Sequence, residues 1–232
     1  MQKESTISFK VYPNERLKQV FFHGKETYPL YIQMIYDRRP IYFKSYFFDL
    51  LSQEKYALRY IGGKKPPKQK EVIAKEENVL RFLIAQNNKR LSLDTLQKDY
   101  YYYGKDLLNL VDNEFKNYLV TYFEDQGQPQ IATMIDSARE TIMSADLVRG
   151  FQSALKPPIF KLLLENAPYY GPAYIPLQDF IEKKEKASFY TFSVYEWEQY
   201  RTQFESFLKK EYPDYSFADV EAFMEKLIRA NN

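Results

Sequence analysis

Residues 27–48 read TYPLYIQMIYDRRPIYFKSYFF. Leu30, Ile32, Met34 and Tyr36 fall on one face at period two, and Tyr31, Gln33 and Ile35 fall on the other. After Asp37-Arg38-Arg39-Pro40, Ile41, Phe43 and Phe47 alternate with Tyr42, Lys44, Tyr46 and Phe48. This predicts two antiparallel strands joined by a tight basic turn. One face builds a core; the turn and the other face carry Arg38, Arg39 and Lys44.

The flanking chain completes a small module. STISFKVY, residues 5–12, alternates Ile7, Phe9 and Val11 with Ser8 and Lys10 and reads as a first strand ended by Pro13-Asn14. Residues 14–26 read as a loop or irregular hairpin arm carrying Arg16, Lys18, His23 and Lys25. A sheet of three strands needs a helix on one face. Residues 68–87 supply one, with Val72, Ile73, Glu76, Val79, Leu80, Leu83 and Ile84 at helical spacing. The stiff link Lys64-Lys65-Pro66-Pro67-Lys68 precedes it. The reading is a β-β-β-α module over residues 1–90.

Residues 91–232 read as helical. Ser92 can cap a turn, residues 106–123 carry one apolar stripe and residues 130–154 a second. Pro158 opens a short helix, IFKLLLEN, and APYYGPAYIP over 167–176 reads as a loop. Ser193 with Glu196 is a capping-box pattern, and Ser216 with Asp219 opens a last helix. The two would form a helical hairpin, with Trp197 as a core anchor. The fold class is therefore α+β: a small three-stranded antiparallel sheet with a covering helix, then a mainly helical domain.

Charge divides the same way. Residues 1–90 hold 18 Lys and Arg against 9 Asp and Glu, a balance of +9; residues 91–232 hold 15 against 22, a balance of −7. Such asymmetry points the first part at a polyanion. The 22 Tyr and 18 Phe serve either as core in place of Leu and Val or as stacking and interface surface. No cysteine is present, so disulfides, thiolate metal sites and a cysteine nucleophile are excluded. No run of 18 apolar residues occurs, and MQKESTISFK opens no apolar signal core. The expectation is a protein of the cytoplasm, or one carried in a particle made there, with no membrane partner.

Catalytic equipment is not visible. The single histidine, His23, has no second His, Cys or acid at metal spacing, and no phosphate-binding or nucleophile-elbow motif occurs. Carboxylates of the second part are expected on helix exteriors. We therefore expect a non-enzyme with no metal and no cofactor. The nucleic-acid-binding candidates are Lys10, Lys18, Arg38, Arg39, Lys44, Lys64, Lys65 and Lys68, the last three on phosphates.

The order strand, loop, Tyr28-Pro29, apolar strand, basic turn and aromatic strand resembles the N-terminal arm-type DNA-binding domain of tyrosine recombinases, the phage integrase family. The matching residues are Tyr28, Pro29, Leu30, Ile32, Ile35, Arg38, Arg39, Tyr42 and Phe43. The resemblance covers residues 5–90 and implies duplex DNA as partner and a phage or mobile element in a bacterial host as source. The family's catalytic Arg, His-x-x-Arg and nucleophilic Tyr cannot be carried over, since His23 is the only histidine. The second part would serve protein contacts or self-association. The alternative is a virion-associated structural or assembly protein, forming oligomers through Tyr-rich surfaces.

Overall fold

The computed structural model describes residues 7–56, 66–86, 92–184 and 191–231. The chain divides into two compact units, residues 1–60 with 65–105, and residues 61–64 with 106–232.

The first unit holds β1 (Ser8–Pro13), β2 (Val20–Phe22), β3 (Lys25–Thr27), β4 (Leu30–Tyr36), β5 (Arg39–Lys44), α1 (Tyr46–Leu51), α2 (Gln69–Gln86) and α3 (Leu93–Gly104). The three-stranded sheet is antiparallel, as expected, and its strand order is β1-β4-β5. Its inner face buries Val11, Leu30, Ile32, Met34 and Phe43, and α2 packs against β1 with Val72, Val79, Leu80 and Leu83 buried. The turn is tighter than four residues. Tyr36 pairs with Arg39, so the loop is Asp37-Arg38 alone, at φ 48° and 63°. Two residues at positive φ match the twist of an antiparallel pair. Pro40 then lies in β5, an edge strand, where its missing N–H costs no ladder bond.

Residues 14–29 form an arm whose ends meet through the Asn14 N–H donating to Pro29 O at 2.9 Å. Within it β2 and β3 pair, turning at His23-Gly24, also at positive φ. Phe22 anchors the arm by stacking on Phe48 with ring centres 4.8 Å apart.

The expected strand over 41–48 stops at Lys44. Ser45 caps a helix instead, accepting from the Phe48 N–H at 3.0 Å. The aromatic run Tyr46-Phe47-Phe48 has strand propensity, but its backbone donors are claimed from elsewhere. Glu76 of α2 accepts from the Phe47 N–H at 3.0 Å and the Ser45 hydroxyl at 2.5 Å. Tyr100 of α3 accepts from the Tyr46 N–H at 2.7 Å and donates to Glu76 at 2.7 Å. Glu76 is fully buried, and burial pushes its carboxyl up to about 7 against the pull of these bonds. This network also moves the boundary expected after residue 90. Because Tyr100 closes the Glu76 site, Leu93–Gly104 belongs to the first unit, which ends at Lys105.

The second unit is built around α4 (Leu107–Asp125), followed by α5 (Pro129–Ser137), α6 (Ser144–Ala154), α7 (Pro157–Tyr170), α8 (Tyr174–Lys184), α9 (Val194–Glu211) and α10 (Phe217–Ala230). Leu107, Leu108, Val111, Phe115, Leu119 and Phe123 of α4 are buried, and α4 contacts α5, α6, α7, α8 and α10. The apolar segment expected over 130–154 is two helices. The break rests on a buried ion pair in α4. Lys116 Nζ lies 2.7 Å from Asp112 and donates to Arg139 O at 2.6 Å, past the end of α5. Asp112 Oδ1 accepts from Ser144 N, at the start of α6, at 2.8 Å. Asp112 and Lys116 are both fully buried, and Asp106 nearly so, so the carboxylates of this unit are not all on helix exteriors.

The loop expected over 167–176 shrinks to a turn at residues 171–173, because Ala167–Tyr170 continue α7 with Pro168 inside it. A Cβ on Gly171 would come within 2.6 Å of the buried Phe115 ring, so this turn needs glycine for close approach. The Ser193–Glu196 capping box is present, and Ser216 caps α10 through the Asp219 N–H. Trp197 is 5% exposed, against Phe204 and Phe217.

Two stability measurements check this account. Glu76 has its folded-state value raised, so it favours folding fully below about 4.5 and loses that contribution as pH rises to about 7, a span of about 3 kcal/mol. Urea unfolding across pH 4.5–8 should show this decline in the wild type but not in Glu76→Gln. At pH 5 the neutral acid and the amide each offer one carbonyl acceptor and a donor arm, so that variant should stay within about 1 kcal/mol of the wild type there. Separately, Lys116→Met strands a buried carboxylate and should cost about 3–5 kcal/mol in the same assay, far more than Lys209→Met at an exposed pair.

Candidate nucleic-acid interface

Strand alternation places every second residue of β1, β4 and β5 on the sheet's outer face. The register aligns Lys10 with Gln33 and Tyr42 in one row, and Tyr12 with Tyr31 and Lys44 in the next. Ser8, Ile35 and Pro40 form the third row. These three rows contain no carboxylate. Two lysines, three tyrosines and one amide thus share a face about 10 Å wide, two strand spacings.

Local contacts set the side chains. Gln33 Nε2 donates to the Tyr42 hydroxyl at 3.0 Å, and Lys10 Nζ sits 5.6 Å from the centre of the Tyr12 ring. Tyr42 is 56% exposed, so its ring stands free of the core. Lys10 and Lys44 are exposed at opposite edges. Asp49, in the helix that follows, is the acid that Lys44 influences. Burial raises the Asp49 carboxyl and Lys44 lowers it.

The structure sorts the candidates read from the sequence. Lys10 and Lys44 share the outer face. Arg38 occupies the β4–β5 turn, exposed at its tip. Arg39 opens β5 opposite Tyr36, and alternation puts it on the side of Ile41 and Phe43, away from the outer rows. Lys18 lies on the arm before β2, and Lys68 precedes α2 with its N–H donating to Glu71 at 2.7 Å; both are exposed. Lys64 and Lys65 lie outside the described residues. Tyr12 was not among the candidates. Its place beside Tyr31 follows from the register of β1 on β4, a pairing that period-two alternation within one strand does not reveal.

His23 is half-buried in the arm's turn, edge-on to Phe22 at 4.4 Å, and burial lowers its pKa. Among the described residues no group of three or more His, Asp or Glu side chains could hold a metal ion. No family model, curated protein or solved structure matches the chain.

The turn offers a test that separates its backbone role from its charge. Arg38 at φ 63° is strained where glycine is not. Arg38→Gly should raise unfolding free energy by about 1 kcal/mol, read by urea denaturation, while Arg38→Lys leaves it unchanged.

Proposed function

We propose that this chain is a non-catalytic DNA-binding protein of a phage or mobile element, acting in the bacterial cytoplasm and laying the outer face of its three-stranded sheet into duplex DNA. The observation that carries the reading is the acid-free grid of Lys10, Gln33, Tyr42, Tyr12, Tyr31 and Lys44. A face about 10 Å wide suits a major groove about 12 Å wide. Gln33 presents the amide chemistry that pairs with adenine edges, and the lysines reach the phosphates on either side. Arg38 at the turn, with Lys18 and Lys68 beyond the sheet, adds phosphate contacts that steer and position. Among the described residues no helix is long and apolar enough to cross a membrane.

The second unit supplies protein contacts in this reading. A rival reading, a virion-associated structural or assembly protein, draws on Tyr169 and Tyr170 of α7, which are 79% and 66% exposed, and on exposed Leu162 and Leu164 of the same helix.

Both readings meet in one experiment. The full chain is titrated with a mixed-sequence duplex at several salt concentrations, and its mass is followed by light scattering. DNA binding should weaken steeply with salt. Lys10→Ala with Lys44→Ala should weaken binding at least tenfold and make the log–log salt slope shallower by about 2. Binding that ignores salt, or that survives the double substitution unchanged, would sink the sheet-face assignment. A stable large oligomer that binds no DNA would favour the assembly protein.

A further inference from the structure

The second unit contains a cleft of about 360 Å³ between α4 and α7. That volume suits a small ligand. Tyr118, Tyr122 and Tyr170 form its aromatic lining. Two of these rings are locked. The Tyr118 hydroxyl donates to Leu163 O at 2.6 Å and the Tyr122 hydroxyl to Ile159 O at 2.7 Å. Tyr170 lies parallel to Tyr118, ring centres 5.9 Å apart and planes 7° from parallel.

Charge in the cleft is of one sign. Glu114 and Asp125 line it, and among the described residues no Lys, Arg or His does. Arg139 approaches through Asn117 Oδ1 at 2.9 Å, but its guanidinium is already paired with Asp136 at 2.9 Å. Glu114 accepts a long bond, 3.4 Å, from Asn117. The two carboxylates are eleven residues apart on one helix. That is three turns, so they point the same way, and their backbones are separated by about 16 Å along the axis. Between them lie the tyrosine rings.

We propose that this cleft binds a linear aliphatic polyamine, with one terminal ammonium at Glu114, the other at Asp125 and the methylene chain along the tyrosines. Each element of the ligand has its counterpart. A carboxylate at each end meets a cation, the ring faces attract ammonium groups, and the methylenes leave water against aromatic surface. A compact cation would reach one carboxylate only. The proposal concerns the second unit and stands whether or not the first binds DNA.

Calorimetric titration of the full chain with spermine, at low salt and without nucleic acid, tests it. One saturable site is expected. Glu114→Gln and Asp125→Asn should each weaken binding at least tenfold, and Tyr170→Ala several-fold. Glu124→Gln removes an exposed acid from the same helix outside the cleft and should change nothing. Asp125 and Tyr170 are exposed, so these variants test the site even if Glu114→Gln disturbs folding. The proposal is overturned if no saturable binding occurs, if Glu124→Gln weakens binding as much as Asp125→Asn, or if n-butylamine binds as tightly as spermine.

Discussion

The first unit depends on one buried carboxylate. Glu76 sits on the apolar stripe of α2 and takes hydrogen bonds from a backbone N–H, a serine hydroxyl and a tyrosine hydroxyl. Those donors come from the β5–α1 junction and from α3. A carboxyl stripped of water without partners would not stay charged, and three N–H or O–H groups buried without an acceptor would each cost free energy. The two deficits cancel only if β5 ends at Lys44, α1 begins at Tyr46 and α3 brings Tyr100 alongside. One side chain thereby fixes where a strand stops, where a helix starts and which later helix joins the unit. The outer face of the sheet is free to hold lysines and tyrosines because this inner arrangement supplies the packing.

The second unit solves a similar problem with a charge pair. Asp112 and Lys116 lie one turn apart on α4, the helix that contacts five others. Each bonds outward to a backbone group at a helix end, Ser144 N and Arg139 O. An apolar pair of similar volume could fill the same space, but it would not satisfy those two ends. The polar atoms therefore specify the break between α5 and α6 more than they add stability.

Much of the fold was legible in the sequence, for reasons that differ by element. The β4 alternation, the α2 stripe and the Ser193–Glu196 capping box are local patterns, and the structure reproduces them. The errors cluster where a distant partner decides. Tyr46-Phe47-Phe48 continues a strand pattern, and only Glu76 and Tyr100, far along the chain, turn it into a helix. Glu76 was visible at helical spacing among apolar residues, yet a lone acid on a stripe does not announce its donors. Nothing in the sequence marks Asp112 and Lys116 as buried, because i, i+4 spacing carries no information about burial. For the candidate site, Lys10, Arg38 and Lys44 followed from composition and period. Grouping Lys10 and Lys44 with Tyr12 on one face, and removing Arg39 from it, required the cross-strand register.

Trp197 is the only tryptophan in the chain, and it is packed beside Phe204 and Phe217 within the α9–α10 hairpin. The first unit has none. Indole emission is thus an optical label already in place for one half of the molecule. Unfolding curves followed at tryptophan wavelengths follow the helical unit alone, while far-ultraviolet dichroism sums over both. A gap between the two curves would measure directly how independently the halves melt, without any cutting or labelling of the chain.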